Sequence, residues 1–292
     1  MKKIKNSLKI MIVGFLLLFL WNQKNTLGNF LAFSETNYAS EYVYVLNREN
    51  KKEIISKNEK TRAYPASLTK IMTTLVALEE IEDLSALAPI DKETYQEMAR
   101  ENASMAGFYG NEATSYRDLL YGTILSSGGE TANSLAINIS GSREDFVELM
   151  NQKAVELDLE NTYFMNPEGF DDIKQYSTAA DMAHLLDYAL EDGDFRAIFT
   201  KDKFQSSSTV NHPEGILLES TVLSKLSPSD QEGFEIIGGK SGTTWKSGQS
   251  WITLGIKEGV EYIVVTMGAP MDEKSGLMDQ HISDTLAIYN HL

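Results

Sequence analysis

The chain has 292 residues, 42% hydrophobic and 23% charged, enough to bury the core of one large domain or two small ones. Its formal net charge of −16 argues against a nucleic-acid partner, because phosphate binding needs Lys and Arg. It contains no cysteine, which excludes disulfides and thiolate chemistry, and its four histidines lack the spacing of a zinc hydrolase, so we expect no metal.

The first 33 residues have the composition of an export signal. Four lysines precede an apolar run from Ile10 to Trp21, which is shorter than the roughly 20 residues that a spanning helix needs. A basic flank before a short apolar run is typical of a secretory signal. We therefore predict that residues 1–33 are a signal peptide or an N-terminal membrane anchor, and that residues 34–292 are exported.

Periodicity predicts the following elements in chain order. Alternation indicates a hairpin with strands at Tyr42–Leu46 and 53–56, and apolar spacing indicates a helix over residues 67–81. Further helices are predicted at Tyr116–Leu125, Thr131–Ile139, Arg143–Leu157, Ser177–Leu190 and Ser275–Leu292, and strands at Phe234–Ile237, Ser250–Ile256 and Tyr262–Met267. Residues 84–115 are mixed and turn-rich, and residues 200–235 are polar with room for two strands. Strands at both ends with helices between favour an α+β fold in one domain with two lobes.

Ser67 and Lys70 form the pattern S-x-x-K at the start of a predicted helix. Residues at i and i+3 share a helix face, so the lysine amine can approach the serine hydroxyl. A hydroxyl needs a base to become a nucleophile, and a lysine whose pKa is lowered by burial can serve. The pattern alone more often marks a helix cap beside a solvated lysine. With its flanks, Pro65-Ala66 and Ile71-Met72-Thr73-Thr74, the segment resembles the active-site helix of penicillin-binding serine enzymes.

Penicillin-recognising enzymes carry two further motifs, S-x-N and K-[ST]-G. Lys240-Ser241-Gly242 matches the second and is followed by Thr243. Lys240 offers a positive charge, while Ser241 and Thr243 offer hydroxyls. These groups suit the carboxylate that D-alanyl peptides and β-lactams both carry.

The S-x-N motif is matched only in part. Ser127 takes the serine position of Ser127-Gly128-Gly129, and Ser126 is a lesser candidate. Gly129 stands where the family has an asparagine whose amide would bind the lysine and the substrate. Water or backbone must therefore substitute for that amide.

Over residues 40–270 the chain resembles the low-molecular-mass penicillin-binding proteins, the serine D-alanyl-D-alanine carboxypeptidases of the S11 type. Ala103-Ser104-Met105, residues 162–170 and residues 177–183 carry the likeness beyond the three motifs. It implies a β-lactamase/transpeptidase-like α+β fold, an antiparallel sheet flanked by helices plus an all-helical subdomain. Many family members add a small C-terminal β-domain, but we expect none here, because Leu292 follows soon after the catalytic domain. The likeness also implies a location at the extracytoplasmic face of the bacterial membrane or cell wall.

The resemblance also implies the reaction. The enzyme would remove the terminal D-alanine from peptidoglycan stem pentapeptides, with β-lactams as inhibitors and no metal or organic cofactor. Ser67 would be the nucleophile, Lys70 its base, and Ser127 a proton relay to the leaving D-alanine, assisted by Lys240. Lys240, Ser241, Gly242 and Thr243 would bind substrate, and the backbone N–H groups of Ser67 and Thr243 would form the oxyanion hole.

Two further departures from the family keep alternatives open. Glu168 stands where the family often has histidine, and the arginine that helps hold the substrate carboxylate has no match, since residues 211–226 offer only His212 and Lys225. One alternative is a class A-like β-lactamase, for which Glu168 and residues 156–161 offer the nearby acids. The other is an inactive peptidoglycan-binding homologue, which Gly129 motivates.

Overall fold

In the computed structural model, residues 38–271 and 279–292 are described. The predicted export segment, residues 1–33, and the predicted start of the last helix, residues 275–278, lie outside the described residues. Residues 39–292 form one compact unit. Within the described part of the chain, no helix is long and apolar enough to cross a membrane.

Nine strands are described: β1 Tyr42–Asn47, β2 Lys52–Lys57, β3 Leu87–Pro89, β4 Ala113–Ser115, β5 Lys203–Gln205, β6 Leu217–Glu219, β7 Phe234–Thr244, β8 Gly248–Lys257 and β9 Val260–Ala269. Five of them form an antiparallel sheet in the order β2-β1-β9-β8-β7. The two ends of the chain meet in this sheet, where Tyr42 pairs with Met267 and Asn47 with Tyr262. Strands β3 and β4 form one small hairpin-like pair, and β5 and β6 form another.

Eight α-helices are described: α1 Lys70–Glu80, α2 Lys92–Arg100, α3 Tyr116–Ile124, α4 Gly129–Ser140, α5 Arg143–Glu156, α6 Ala179–Ala189, α7 Gly193–Phe199 and α8 Gln280–His291. Helix α1 is buried from Lys70 to Ala77, because it packs against α3, α4, α5, α6 and α7. Helix α8 packs against β8 and β9, where Tyr289 Oη lies 3.1 Å from Thr253 Oγ1. An antiparallel sheet flanked by helices, with a helical lobe, confirms the predicted α+β fold.

The hairpin at residues 42–57 and the helices near residues 116, 131, 143 and 177 are confirmed. Thr178 caps α6, because its hydroxyl accepts a hydrogen bond from Asp181 N at 3.0 Å. Strand β7 is longer than predicted, since it continues through Lys240-Ser241-Gly242 to Thr244. The sequence analysis missed α2 and α7. Helix α2 buries only Thr94 and Met98, too few residues for an apolar period, and α7 has only 7 residues.

Candidate active site

Ser67 lies in a 3-10 turn, Ala66–Thr69, that leads directly into α1. Ala66 has a φ of 48°, an uncommon left-handed conformation for a residue with a Cβ. Two glycines let other backbone segments reach this turn: a Cβ on Gly169 would lie 2.0 Å from Ala66 O, and one on Gly242 would lie 3.3 Å from Leu68 N. Surrounding backbone therefore fixes the turn that presents Ser67.

Lys70 is the first residue of α1, and its side chain is buried. Its Nζ lies 3.2 Å from Ser67 Oγ and also donates to the main-chain oxygen of Glu168. Burial lowers the pKa of Lys70 to about 8, against the opposing effect of the Glu168 and Glu130 carboxyl groups. The Lys70 amine therefore lies within hydrogen-bond distance of the Ser67 hydroxyl and has a lowered pKa, so it can exchange a proton with that hydroxyl.

The side chains of Ser127 and Lys240 are in direct contact. Ser127 has a φ of 59°, and its Oγ accepts a hydrogen bond from Lys240 Nζ at 2.8 Å. Lys240 also donates to Ser241 O at 2.8 Å. Burial, together with the nearby charge of Lys70, holds the pKa of Lys240 well below its usual range. Of the two serines considered for this motif, it is Ser127 that Lys240 binds.

The rest of the third motif runs along β7. The hydroxyls of Ser241 and Thr221 share a hydrogen bond of 2.7 Å. Thr243 follows and faces the cleft, while Thr244 Oγ1 donates to Asp171 Oδ1 at 2.7 Å. The edge strand thus contributes Thr243 and Thr244 to the cleft, while Lys240 on the same strand is fully buried.

A narrow cleft of about 120 Å³ opens beside Ser67. Three predicted site residues line it: Ser67, Lys70 and Thr243. The other lining residues come from three further segments: Asn102, Ala103, Ser104, Gly129, Glu168, Gly169, Phe170 and Thr244. The segments that carried the resemblance near residues 103 and 168 therefore form the cleft walls.

Gly129 begins α4 in this wall, and its backbone N–H donates to Ser104 O at 2.8 Å. A Cβ at this position would lie 2.9 Å from Met98 Sδ, closer than ordinary van der Waals contact. Met98 is fully buried. The thioether of Met98 therefore fills the space into which a side chain at position 129 would project.

Glu130, in the first turn of α4, binds the backbone of the loop at residues 106–107. Its Oε1 accepts hydrogen bonds from the backbone N–H groups of Ala106 at 2.7 Å and Gly107 at 2.9 Å. Burial raises the pKa of Glu130, although these backbone donors oppose the shift. The sequence analysis did not identify this residue, because an acid in the first helical turn is commonly a solvated one.

Glu168 is buried in the cleft wall with 4% exposure. Burial raises the pKa of its carboxyl group, while its own backbone N–H, Lys70, Arg143 and Asn133 act in the opposite direction. Its Oε2 has no hydrogen-bond partner among the described residues. In the sequence, Glu168 stood out as a departure from the family pattern and as one of the acids that a β-lactamase could use.

The two side chains considered for the substrate carboxylate are engaged elsewhere. His212 Nδ1 lies 2.7 Å from Glu112 Oε1, and Lys225 Nζ lies 3.2 Å from Asp279 Oδ1. Near the motif strand the structure instead places the hydroxyl pair of Thr221 and Ser241.

Comparison with known proteins agrees with this geometry. The sequence profile of the family described as D-alanyl-D-alanine carboxypeptidase, Peptidase_S11, matches residues 31–271. The carboxypeptidase DacF of Bacillus subtilis is 36% identical over 151 residues, covering 51% of this chain and 39% of the relative. DacA of Haemophilus influenzae is 30% identical over 235 residues, covering 78% of this chain and 56% of the relative. The chain thus spans about half the length of the curated relatives it matches.

Solved structures show the same fold. A mutant of the Streptomyces K15 DD-transpeptidase superimposes with a TM-score of 0.78 at 25% identity, covering 88% of this chain and 98% of that one. A D-alanyl-D-alanine carboxypeptidase of Mycobacterium tuberculosis gives a TM-score of 0.75 at 24% identity, covering 88% and 92%, a likeness of fold. The matched region contains all three motifs and the cleft between them, and the chain belongs to the S11 family of D-alanyl-D-alanine carboxypeptidases.

Proposed function

We propose that this chain is a serine D-alanyl-D-alanine carboxypeptidase that removes the terminal D-alanine from peptidoglycan stem pentapeptides. The observation that carries the proposal is the buried Lys70 amine 3.2 Å from Ser67 Oγ. A buried amine with a pKa of about 8 is neutral in a useful fraction of molecules near neutral pH, whereas a solvated lysine is not.

Acylation begins when neutral Lys70 takes the proton of the Ser67 hydroxyl. Ser67 Oγ then attacks the carbonyl carbon between the two terminal D-alanines and forms a tetrahedral intermediate. The backbone N–H groups of Ser67 and Thr243 stabilise the oxyanion. Both groups border the cleft, and the close approach of Gly242 to the Ser67 turn supports their convergence.

Collapse of the intermediate breaks the peptide bond and requires a proton on the departing amine. Ser127 supplies this proton, because Lys240 holds its hydroxyl at 2.8 Å and can replenish it. Lys240 also attracts the substrate carboxylate, and Ser241, Gly242 and Thr243 hold the substrate along the edge of β7. Water then attacks the acyl-enzyme, releases the shortened peptide and restores the Ser67 hydroxyl.

We place this reaction outside the cytoplasm, at the membrane or in the cell wall. The support is the basic, then apolar, sequence of residues 1–33, which would export residues 34–292 and could keep them at the membrane. Stem peptides ending in D-Ala-D-Ala are found there, and β-lactams would act as inhibitors by acylating Ser67.

Mass spectrometry after incubation with benzylpenicillin tests the proposal, with Ser67→Ala as the control. A stable penicilloyl adduct on the wild type alone, together with D-alanine release from a stem pentapeptide, is the expected result. Hydrolysed penicillin without a lasting adduct would instead indicate a β-lactamase. Intact penicillin, no adduct and no D-alanine release would indicate an inactive peptidoglycan-binding homologue.

A further inference from the structure

The second motif lacks the asparagine of the family pattern, and the structure has no room for a side chain at that position. Gly129 stands where the carboxamide would bind the lysine and the substrate. A Cβ there would lie 2.9 Å from the sulfur of buried Met98 and 3.4 Å from Ala103 Cβ. Both tasks of that carboxamide must therefore fall to other groups in the cleft wall.

The main chain performs the first of these tasks. Lys70 Nζ donates to the main-chain oxygen of Glu168, in addition to its contact with Ser67 Oγ at 3.2 Å. Backbone and hydroxyl thus hold the lysine amine without a side-chain amide. The group that still needs a partner is the substrate amide next to the reacting carbonyl, since its burial without a hydrogen bond would cost affinity.

The loop at residues 102–104 provides a carboxamide in the same wall. Asn102 and Ser104 line the cleft of about 120 Å³ together with Ser67 and Lys70. Among the described residues that line this cleft, only Asn102 carries a side-chain amide. A carboxamide both donates and accepts, so it can pair with a substrate amide as the motif asparagine would.

Backbone hydrogen bonds fix this loop next to Gly129. Gly129 N donates to Ser104 O at 2.8 Å, and Ala103 N donates to Met98 O at 3.0 Å. Asn102 has a φ of 55°, a left-handed conformation that asparagine adopts more readily than most residues with a side chain. The loop that carries Asn102 is therefore held both at α2 and at the start of α4.

The side chain of Asn102 is available to a ligand. Asn102 is exposed, and its carboxamide has no hydrogen-bond partner among the described residues. An asparagine that only stabilises a turn commonly binds nearby backbone with its side chain. Asn58, with a φ of 50°, does so by donating through Nδ2 to Glu41 O at 3.0 Å. Asn102 makes no such bond, so its amide can bind a substrate in the cleft.

We propose that Asn102 is a substrate-binding residue that replaces the asparagine of the second motif. Its Nδ2 donates to the carbonyl oxygen of the amide on the acyl side of the reacting carbonyl. A stem peptide has this amide between its third residue and the penultimate D-alanine, and benzylpenicillin has one in its side chain. The inference rests on the proposed function and deepens it, because it assigns the residue that recognises this amide.

A pair of penicillins tests the contact, since aminopenicillanic acid keeps the β-lactam nucleus but lacks the side-chain amide. Asn102→Gly removes the carboxamide and keeps the left-handed backbone, which glycine adopts without strain. We expect this variant to form the benzylpenicilloyl adduct about tenfold more slowly than the wild type, the usual effect of losing one hydrogen bond. Its acylation rate with aminopenicillanic acid should change less than about twofold.

Asn102→Asp tests whether the side chain donates. The variant keeps the size of the side chain but replaces the donating Nδ2 by an acceptor oxygen, so it should lose at least as much of the benzylpenicillin rate. Asn111→Gly is the matched control, because Asn111 is also exposed, with a φ of 67°, but does not line the cleft. The control should react like the wild type with both penicillins, and the melting temperature of each variant checks that it is folded.

An equal loss with both penicillins, or no loss with benzylpenicillin, would overturn the inference. An unchanged rate in Asn102→Asp, or the same selective loss in Asn111→Gly, would overturn it too. If Asn102→Gly does not fold, Asn102→Asp decides by the same comparison.

A wild type that forms no adduct with either penicillin would instead refute the proposed function. Calorimetry with a stem pentapeptide would then decide the inference separately. A Kd that is about tenfold higher in Asn102→Gly than in the wild type would support the contact, and an unchanged Kd would overturn it.

Discussion

The contact between Gly129 and Met98 gives a stability prediction that the structure makes quantitative. A Cβ at position 129 would lie 2.9 Å from Met98 Sδ and 3.2 Å from Met98 Cγ. The buried thioether would have to retreat by about half an ångström to restore ordinary contact. Overpacking of this kind typically costs about 1–3 kcal/mol, so we expect Gly129→Ala to destabilise the domain by that amount.

Gly193→Ala is a matched control. Gly193 also begins a helix, α7, but an added Cβ there would meet nothing within 4 Å. Neither glycine has a positive φ, so alanine fits both backbones. The control should therefore leave stability unchanged or raise it by up to about 1 kcal/mol, since alanine reduces the entropy of the unfolded chain.

A double-mutant cycle isolates the contact. Met98→Ala alone should cost about 2–5 kcal/mol, because it leaves a cavity in the core. In that background Gly129→Ala should cost little, which gives a coupling energy of about 1–3 kcal/mol between the two positions. Urea unfolding of the four proteins measures these free energies. Additivity within about 0.5 kcal/mol, or a Gly129→Ala effect equal to that of Gly193→Ala, would refute the packing argument.

Three other predictions concern charge. Burial lowers the pKa of His281 to about 4, below the 6.5 of free histidine, so the unfolded chain takes up the proton first as the pH falls. The contribution of neutral His281 to stability should therefore be fully present above pH 6.5 and fall by about 3 kcal/mol as the pH drops towards 4. Thermal melts of His281→Gln should lack this loss. The side chain of Arg48 is 9% exposed and pairs with Asp187 at 2.9 Å and with Glu261. Arg48→Met should therefore lower the free energy of unfolding, measured in urea, by about 1–3 kcal/mol. An unchanged free energy would mean that the ion pairs contribute nothing to stability. Lys240→Gln should slow D-alanine release about 100-fold or more, because it removes the amine that donates to Ser127. The variant should melt at the same or a higher temperature, because burial of the Lys240 amine disfavours its charged form. Unaltered turnover would exclude Lys240 from the reaction.

The proximity of Ser67 and Lys70 in the candidate site could be predicted from their spacing in the sequence. Ser67 and Lys70 are three residues apart, and the helical turn itself places the amine 3.2 Å from the hydroxyl. The order of strands and helices similarly followed from apolar periodicity, because the core buries one face of most elements. Burial of Lys70, which lowers its pKa, could be expected only in general terms, since it depends on the helices that surround α1.

The rest of the site depends on contacts that no local pattern encodes. Ser127 and Lys240 are 113 residues apart, and only the family motif suggested that they meet. The position of Met98 in front of Gly129 follows from how α2 packs on α4. Asn102 gave no signal, because a single asparagine in a turn-rich segment is compatible with many surroundings.

The burial of both lysines has a consequence for substrate binding. Each pKa is lowered chiefly by desolvation, and the charge of Lys70 disfavours that of Lys240. In the proposed reaction the substrate carboxylate would approach Lys240 and would favour its protonated form. Binding would then couple to proton uptake at Lys240, while the neutral fraction of Lys70 serves as the base. Burial disfavours the charge of both lysines, and a carboxylate at Lys240 alone would thus make Lys240 the acid and leave Lys70 as the base.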